Sequence, residues 1–203
     1  MKILGLTGPS GAGKAVVGGA FLAQGIPVLD TDEVYHAWID KPSPCTEALA
    51  AAFGNSVLAQ NGSIDRKKLA AVVFADDGKR EERLATLNRI THAFVLKSCD
   101  EWLALQEECG ARAAVIDAPL LIEASLHLRC DAVIAVLAPV SLRSARIQKR
   151  DGITKEAAEA RIRAQKPDDF YREHAEFVFV NDGDPSMAIP FVDGVTQRVL
   201  MNK

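Results

Sequence analysis

Short apolar runs alternate with longer segments of helical periodicity along this chain. Each apolar run is bounded by Gly, Asp, Pro or Asn, which is typical of short, buried strands. The runs predict strands at residues 2–6, 26–29, 113–116, 132–137 and 177–180. Because helical patterns separate these runs, the alternation predicts an α/β fold with helices on both faces of a parallel sheet.

The long interval between the second and third predicted strands contains helix-like segments and no convincing strand. Its breakers are Lys41-Pro42-Ser43-Pro44, Asn61-Gly62 and Asp77-Gly78. We therefore expect one domain in which a helical insertion interrupts the sheet. The predicted parts are a core of residues 1–32, 111–140 and 174–203, an insertion of residues 33–110, and a helical lid of residues 141–173.

Composition narrows the class of protein. The 203 residues are 48% hydrophobic and 25% charged, and no apolar run approaches the roughly 18 residues of a membrane span. The N-terminus enters a strand directly and the four cysteines have no CxxC spacing, so we expect a cytoplasmic protein with reduced thiols. The net charge of −3 argues against nucleic-acid binding, and no membrane partner is expected. Oligomeric state stays open, with a monomer favoured.

The segment from Gly8 to Ala15 matches the phosphate-binding pattern G-x-x-x-x-G-K-[ST] at every position except the last. Such glycines let several backbone N–H groups converge on one phosphate, and the helix that follows points its positive end at the same place. A predicted strand precedes the segment and a helical pattern follows it. We expect ATP contacts from Gly8, Pro9, Ser10, Gly11, Ala12, Gly13, Lys14, Ala15 and Val16.

Ala15 stands where the pattern expects a Ser or Thr hydroxyl, which in P-loop proteins helps to hold Mg²⁺. The sequence thus indicates nucleotide binding and raises a question about the metal site.

Carboxylates follow two of the predicted strands. Asp30 and Asp32 come just after the second strand, and Asp117 comes just after the third in a Walker-B-like position. In an open α/β sheet the carboxyl ends of the strands form the ligand site, where such groups can orient a hydroxyl or hold metal-bound water. Helix capping by Asp30 or Thr31, and a capped turn at Asp117, are the structural alternatives.

The stretch of residues 141–173 has nine basic and six acidic side chains. Arg143, Arg146 and Arg150 are spaced by three and four residues, which predicts that they share one helical face. We expect a lid that brings arginines to the phosphates; a solvated helical hairpin is the alternative.

Together these segments resemble the dephospho-CoA kinase family. The carrying residues are Gly5-Leu6-Thr7-Gly8 with Gly11, Gly13 and Lys14; Asp30-Thr31-Asp32; Asp117 to Leu121 with Glu123; and Arg146 with Arg150-Asp151. The resemblance implies a P-loop NTPase fold with five parallel strands, a helical CoA-binding insertion and a helical lid. It also implies ATP-dependent phosphorylation of the ribose 3′-hydroxyl of dephospho-CoA, the last step of coenzyme A biosynthesis.

The resemblance also implies roles for individual residues. Asp32 would be the general base, Lys14 would hold the γ-phosphate, and Arg146 would neutralise charge during transfer. Asn181 would lie near the adenine. The acceptor would be bound by Asp30, Asp32, Arg66, His92, Asp117, Leu121 and Glu123, and Mg²⁺ by Asp32 and Asp117 through water.

Two departures from the family pattern bear on activity. Ala15-Val16 replaces Ser-Thr, and His92-Ala93 replaces His-Pro. Our hypothesis is a working enzyme in which water, oriented by Asp30, Asp32 or Asp117, replaces the missing hydroxyl. The alternatives are another P-loop small-molecule kinase, or a catalytically impaired nucleotide-binding copy.

Overall fold

Five parallel strands form a single sheet in the computed structural model, which describes residues 1–201. The strands are β1 (Lys2–Thr7), β2 (Val28–Asp30), β3 (Ala113–Asp117), β4 (Ala132–Leu137) and β5 (Phe177–Val180). Their order in the sheet is β2-β3-β1-β4-β5. The predicted α/β fold with a parallel sheet is confirmed; residues 202 and 203 of the predicted core lie outside the described residues.

The helices vary widely in length. They are α1 (Lys14–Ala23), α2 (Thr31–Ile39), α3 (Pro44–Phe53), α4 (Arg66–Val73), α5 (Arg80–Glu108), α6 (Val140–Asp151), α7 (Lys155–Arg163), α8 (Asp168–Glu173) and α9 (Ala188–Met201). None of the helices in residues 1–201 combines the length and the apolar character that crossing a membrane requires.

Strand β2 begins two residues later than the sequence predicts. The Ile26 N–H donates to Phe21 O and so closes the turn after α1, where Gly25 adopts a left-handed φ of 73°. Pro27 has no N–H to donate, although its carbonyl accepts from Val115 N. The ladder therefore starts at Val28, which is in register with Val115.

The chain divides into two compact units, and the first contains the sheet. This unit comprises Met1–Asp30 and the chain from Leu103 onward. An apolar cluster of this unit joins residues of β1 and β4 to residues of α1 and α9, including the fully buried Leu6, Phe21, Ile134 and Val192. Burial of each such side chain contributes about 1.5–3 kcal/mol.

The second unit, Thr31–Trp102, is helical in its described elements and has its own core. Ile39, Leu49, Val57 and Val73 are all fully buried in it. Helix α3 starts with a capping box, in which the Ser43 hydroxyl accepts from Thr46 N and the Thr46 hydroxyl accepts from Ser43 N. The last turns of α5 belong to the sheet unit, and the division into core, helical insertion and lid stays a prediction.

Candidate active site

The loop between β1 and α1 depends on glycine for its shape. Gly8 has a φ of 149° and Gly13 a φ of 90°. A Cβ added at Gly8 would lie 2.1 Å from Val136 O, and one added at Gly13 would lie 2.3 Å from Asn181 Nδ2. Any side chain at either position would therefore meet both an unfavourable backbone conformation and a steric clash.

Helix α1 begins without a side-chain cap. Its N-cap is Gly13, which makes no capping hydrogen bond. The N–H groups of a first helical turn have no partners within the helix, and the helix dipole places partial positive charge there. This end of α1 is suited to an anion.

Lys14 adds a full positive charge at the same place. It is the first residue of α1, and its Nζ lies 3.5 Å from Asp117 Oδ1 at the end of β3. Both side chains are largely buried, at 18% and 12% exposure. The ion pair holds the lysine close to the carboxyl edge of the sheet.

Asp30 and Asp117 lie side by side at that edge. They are paired in register as the last residues of β2 and β3, so Asp30 ends the strand rather than following it. Neighbouring strands are separated by about 4.8 Å, and residues in register point to the same face of a sheet. The two acids thus share one face, and Asp117 is also in register with Leu6, just before the loop.

The segment after β3 packs against β1. The Thr7 hydroxyl donates to Pro119 O at 3.4 Å, and Ala118 N donates to Leu6 O. The Leu121 side chain is fully buried, and its Cδ2 would lie only 2.5 Å from a Cβ added at Gly5. Leu121 therefore packs in the core, whereas Glu123 is exposed.

Three arginines of α6 contact the phosphate loop. Arg143 Nε donates to Ser10 O at 3.1 Å, and Arg150 Nη2 donates to Ser10 Oγ at 3.2 Å. Arg146 Nη1 donates to Gly11 O and to Ala12 O, both at 3.1 Å. The prediction of a shared helical face is confirmed. Their partners on the loop are the Ser10 hydroxyl and the carbonyl oxygens of Ser10, Gly11 and Ala12.

Asn181 joins the same network from the end of β5. Its Nδ2 donates to Ala12 O at 2.9 Å, and its Oδ1 accepts from Arg146 Nη2 at 3.1 Å. The backbone N–H donates to Leu137 O at 2.8 Å, and the residue is only 2% exposed. The predicted ATP-site residues Arg146 and Asn181 are therefore brought together with the loop.

Sequence reasoning grouped Arg143 with the other arginines of α6 but did not predict that it is buried against the loop. This side chain is 3% exposed, its Nη2 donates to Gln165 Oε1 at 2.7 Å, and its Nη1 lies 3.5 Å from Asp168 Oδ1. Burial lowers the pKa of Arg143, and the nearby Asp168 opposes that shift. The three-and-four spacing of the arginines was the available signal, but it did not distinguish loop carbonyls from bound phosphate as the partner.

The remaining predicted residues belong to the second unit. Asp32 lies in the first turn of α2, where a carboxylate is favoured by the helix dipole. Arg66 starts α4, and its Nη2 donates to both carboxylate oxygens of Asp40 at 2.6 and 2.7 Å. His92 is half-buried on α5, and burial lowers its pKa.

The sequence model of the dephospho-CoA kinase family matches residues 2–186. The chain belongs to the dephospho-CoA kinase family. A dephospho-CoA kinase of Anaeromyxobacter dehalogenans is 38% identical over 91% of this chain and 86% of its own length. One of Arabidopsis thaliana is 34% identical over 90% of this chain and 77% of its own length.

Solved structures agree with the fold. A protein of Thermus thermophilus, 32% identical, superposes with a TM-score of 0.79 over 98% of this chain and 96% of its own. A dephospho-CoA kinase of Campylobacter jejuni, 23% identical, has a TM-score of 0.69 over 98% of each chain. The latter supports the fold alone. The predicted P-loop kinase fold is confirmed, and family membership does not favour the alternative functions.

Proposed function

We propose that this chain transfers the γ-phosphoryl group of ATP to the ribose 3′-hydroxyl of dephospho-CoA, which forms coenzyme A. The observation that carries the proposal is the pairing of Lys14 with Asp117 beside an uncapped helix start, in a chain of the dephospho-CoA kinase family. In the reaction the 3′-oxygen attacks the γ-phosphorus, the bond to the β–γ bridging oxygen breaks, and ADP leaves.

The phosphates of ATP are assigned to the loop between β1 and α1. Its N–H groups and the Lys14 ammonium supply positive charge where negative charge moves onto the leaving oxygen. The Ala15 side chain is exposed at the second position of α1, so it takes no part in core packing. Arg146 and Asn181 complete the proposed ATP site.

Asp32 is the proposed base for the acceptor hydroxyl. Its carboxylate would take the 3′-hydroxyl proton as the oxygen attacks, a contribution that in such enzymes is typically 10²–10⁴-fold. Arg66 and His92 of the second unit are proposed to bind the acceptor, as are Asp30, Asp117 and Glu123 of the sheet unit. Leu121, proposed from the sequence for the same site, is fully buried and would act by supporting the segment that carries Asp117 and Glu123. The contacts of Arg66 with Asp40 use Nη2, and an arginine has further N–H donors on Nη1 and Nε with which it could bind an acceptor phosphate.

Mg²⁺ is the proposed metal, and the carboxylates at the strand ends fit it. Mg²⁺ prefers oxygen ligands and commonly keeps several waters while binding one or two carboxylates and the substrate phosphates. Ala15 supplies no oxygen, but the in-register Asp30 and Asp117 place two carboxylates on one face. Asp117 would hold the ion through water, with Asp30 and Asp32 contributing. When bound, the ion would neutralise charge on the β- and γ-phosphates.

We further propose that the protein acts as a cytoplasmic monomer without nucleic acid. The net charge of −3 supports the last point. Light scattering during size-exclusion chromatography should give a mass near 21.9 kDa for a monomer.

An acceptor panel tests the reaction. Dephospho-CoA, AMP and shikimate are each offered with ATP and Mg²⁺, and ADP formation is measured. We expect turnover with dephospho-CoA alone; preferential turnover of AMP or shikimate would contradict the proposal. The variant D32N should lose at least about 100-fold in kcat with unchanged ATP affinity. The matched control E33Q, in the same helical turn, should keep kcat within about twofold.

A further inference from the structure

Three consecutive carbonyl groups of the phosphate loop accept hydrogen bonds from side chains that are distant in sequence. Ser10 O accepts from Arg143, Gly11 O from Arg146, and Ala12 O from both Arg146 and Asn181. These partners lie more than 130 residues further along the chain. The side of the loop that carries its carbonyls is thus held from outside the loop.

Holding a carbonyl also aims the next N–H. In a planar trans peptide, the C=O of one residue and the N–H of the next point in opposite directions. The hydrogen bond from Arg143 to Ser10 O therefore turns the Gly11 N–H away from Arg143. The hydrogen bond from Asn181 to Ala12 O does the same for the Gly13 N–H. N–H groups of such a loop are the groups that bind phosphate.

Both side chains are themselves fixed by burial and by further contacts. Arg143 and Asn181 are 3% and 2% exposed. Arg143 is held by Gln165 and Asp168, while the backbone of Asn181 is bonded to the end of β4. Buried polar groups are stable only when they are hydrogen-bonded, so these side chains have little freedom to leave the loop.

We propose that Arg143 and Asn181 are positioning residues that hold the loop peptides in their phosphate-binding orientation. They act through Ser10 O and Ala12 O and preorganise the N–H groups before the nucleotide arrives. For Asn181 this role replaces the adenine contact that the family resemblance implies. The inference rests on the proposed function only in so far as the loop binds ATP.

The test compares ligands that differ in the number of phosphate groups or in the base. The variant N181D keeps the shape of the side chain and the acceptor for Arg146, but it replaces the Nδ2 donor opposite Ala12 O with an oxygen. Affinities for ATP, ADP, adenosine and GTP are measured by isothermal titration calorimetry. We expect ATP and ADP affinity to fall by at least about tenfold, because the change removes one hydrogen bond of ordinary strength and adds a carboxylate near the loop; the charge-conserving variant R143K separates the two effects. Adenosine affinity and the preference for ATP over GTP should stay within about twofold.

Two results would overturn the inference. Loss of adenosine affinity, or a changed ratio of ATP to GTP affinity, would make Asn181 a purine contact; unchanged ATP and ADP affinity would remove its role in the loop. The variant N55D makes the same chemical change at an exposed site in the second unit and should leave every affinity unchanged. Thermal unfolding establishes that each variant is folded.

A second variant covers the case in which N181D does not fold. R143K keeps the charge, but the lysine ammonium lacks the planar, forked guanidinium with which Arg143 reaches Ser10 O and Gln165 Oε1 at the same time. It should show the same selective loss for ATP and ADP, and retained ATP affinity would overturn the proposal. Because all these readouts are equilibrium binding, they decide the inference even if the wild-type chain fails to phosphorylate dephospho-CoA.

Discussion

Replacing Gly13 by alanine tests the packing behind the loop. The φ of 90° at Gly13 costs an alanine about 1 kcal/mol. Its Cβ would lie 2.3 Å from Asn181 Nδ2, so the buried amide must move. Movement would break its hydrogen bonds with Ala12 O and with Arg146, at about 1 kcal/mol each. The sum predicts a free energy of unfolding lower by about 3 kcal/mol.

A glycine inside α1 provides the matched control. Gly19 is exposed inside the helix, and a Cβ added there would meet no atom within 4 Å. G19A should therefore raise the free energy of unfolding by about 1 kcal/mol, because alanine is the better helix former.

Thermal unfolding followed by far-UV circular dichroism measures both changes. For a chain of this size, about 3 kcal/mol corresponds to a fall in Tm of roughly 6–12 °C, and about 1 kcal/mol to a rise of roughly 2–4 °C. ATP affinity should fall in G13A and stay unchanged in G19A. A G13A protein with the Tm and ATP affinity of the wild type would refute the reasoning, and so would a G19A protein that is less stable.

Three further predictions concern the metal, pH and thiols. A15S should tighten apparent Mg²⁺ binding by about tenfold in titrations with ADP, because a hydroxyl adds a ligand at an exposed position; unchanged binding would contradict the metal-positioning account. Since burial lowers the pKa of His92, the unfolded chain takes up the proton first, and stability should fall as pH drops below about 6.5. H92Q should weaken that dependence in urea titrations; an identical slope would exclude His92 as its source. Burial raises the pKa of Cys45 to about 11, so in the native protein a disulfide reagent should modify the exposed Cys109 well before Cys45.

The sheet was predictable because each strand is a short apolar run that ends at a polar or turn residue. The loop was predictable because its glycines and Lys14 occur at fixed spacing between a strand and a helix. The start of β2 was not predictable, since it depends on the Ile26 N–H being taken by Phe21 O.

The contacts behind the loop lay beyond any local pattern. A carbonyl at position 12 and an amide at position 181 meet only because β4 and β5 pair in the register that places Asn181 next to Leu137. Sequence spacing grouped the arginines of α6 correctly, but only three-dimensional packing reveals that Arg143 is buried and bonded to Ser10 O. Residue roles that arise from long-range hydrogen bonds therefore need the structure.

The most direct test of the central claim is the position of the new phosphate. The wild-type chain is incubated with ATP, Mg²⁺ and dephospho-CoA, and the product is examined by mass spectrometry and ³¹P NMR, with K14M as the control. The account predicts one added phosphoryl group on the ribose 3′-oxygen, formed only with ATP and lost in K14M. A phosphate at another position, or equal product from K14M, would contradict it.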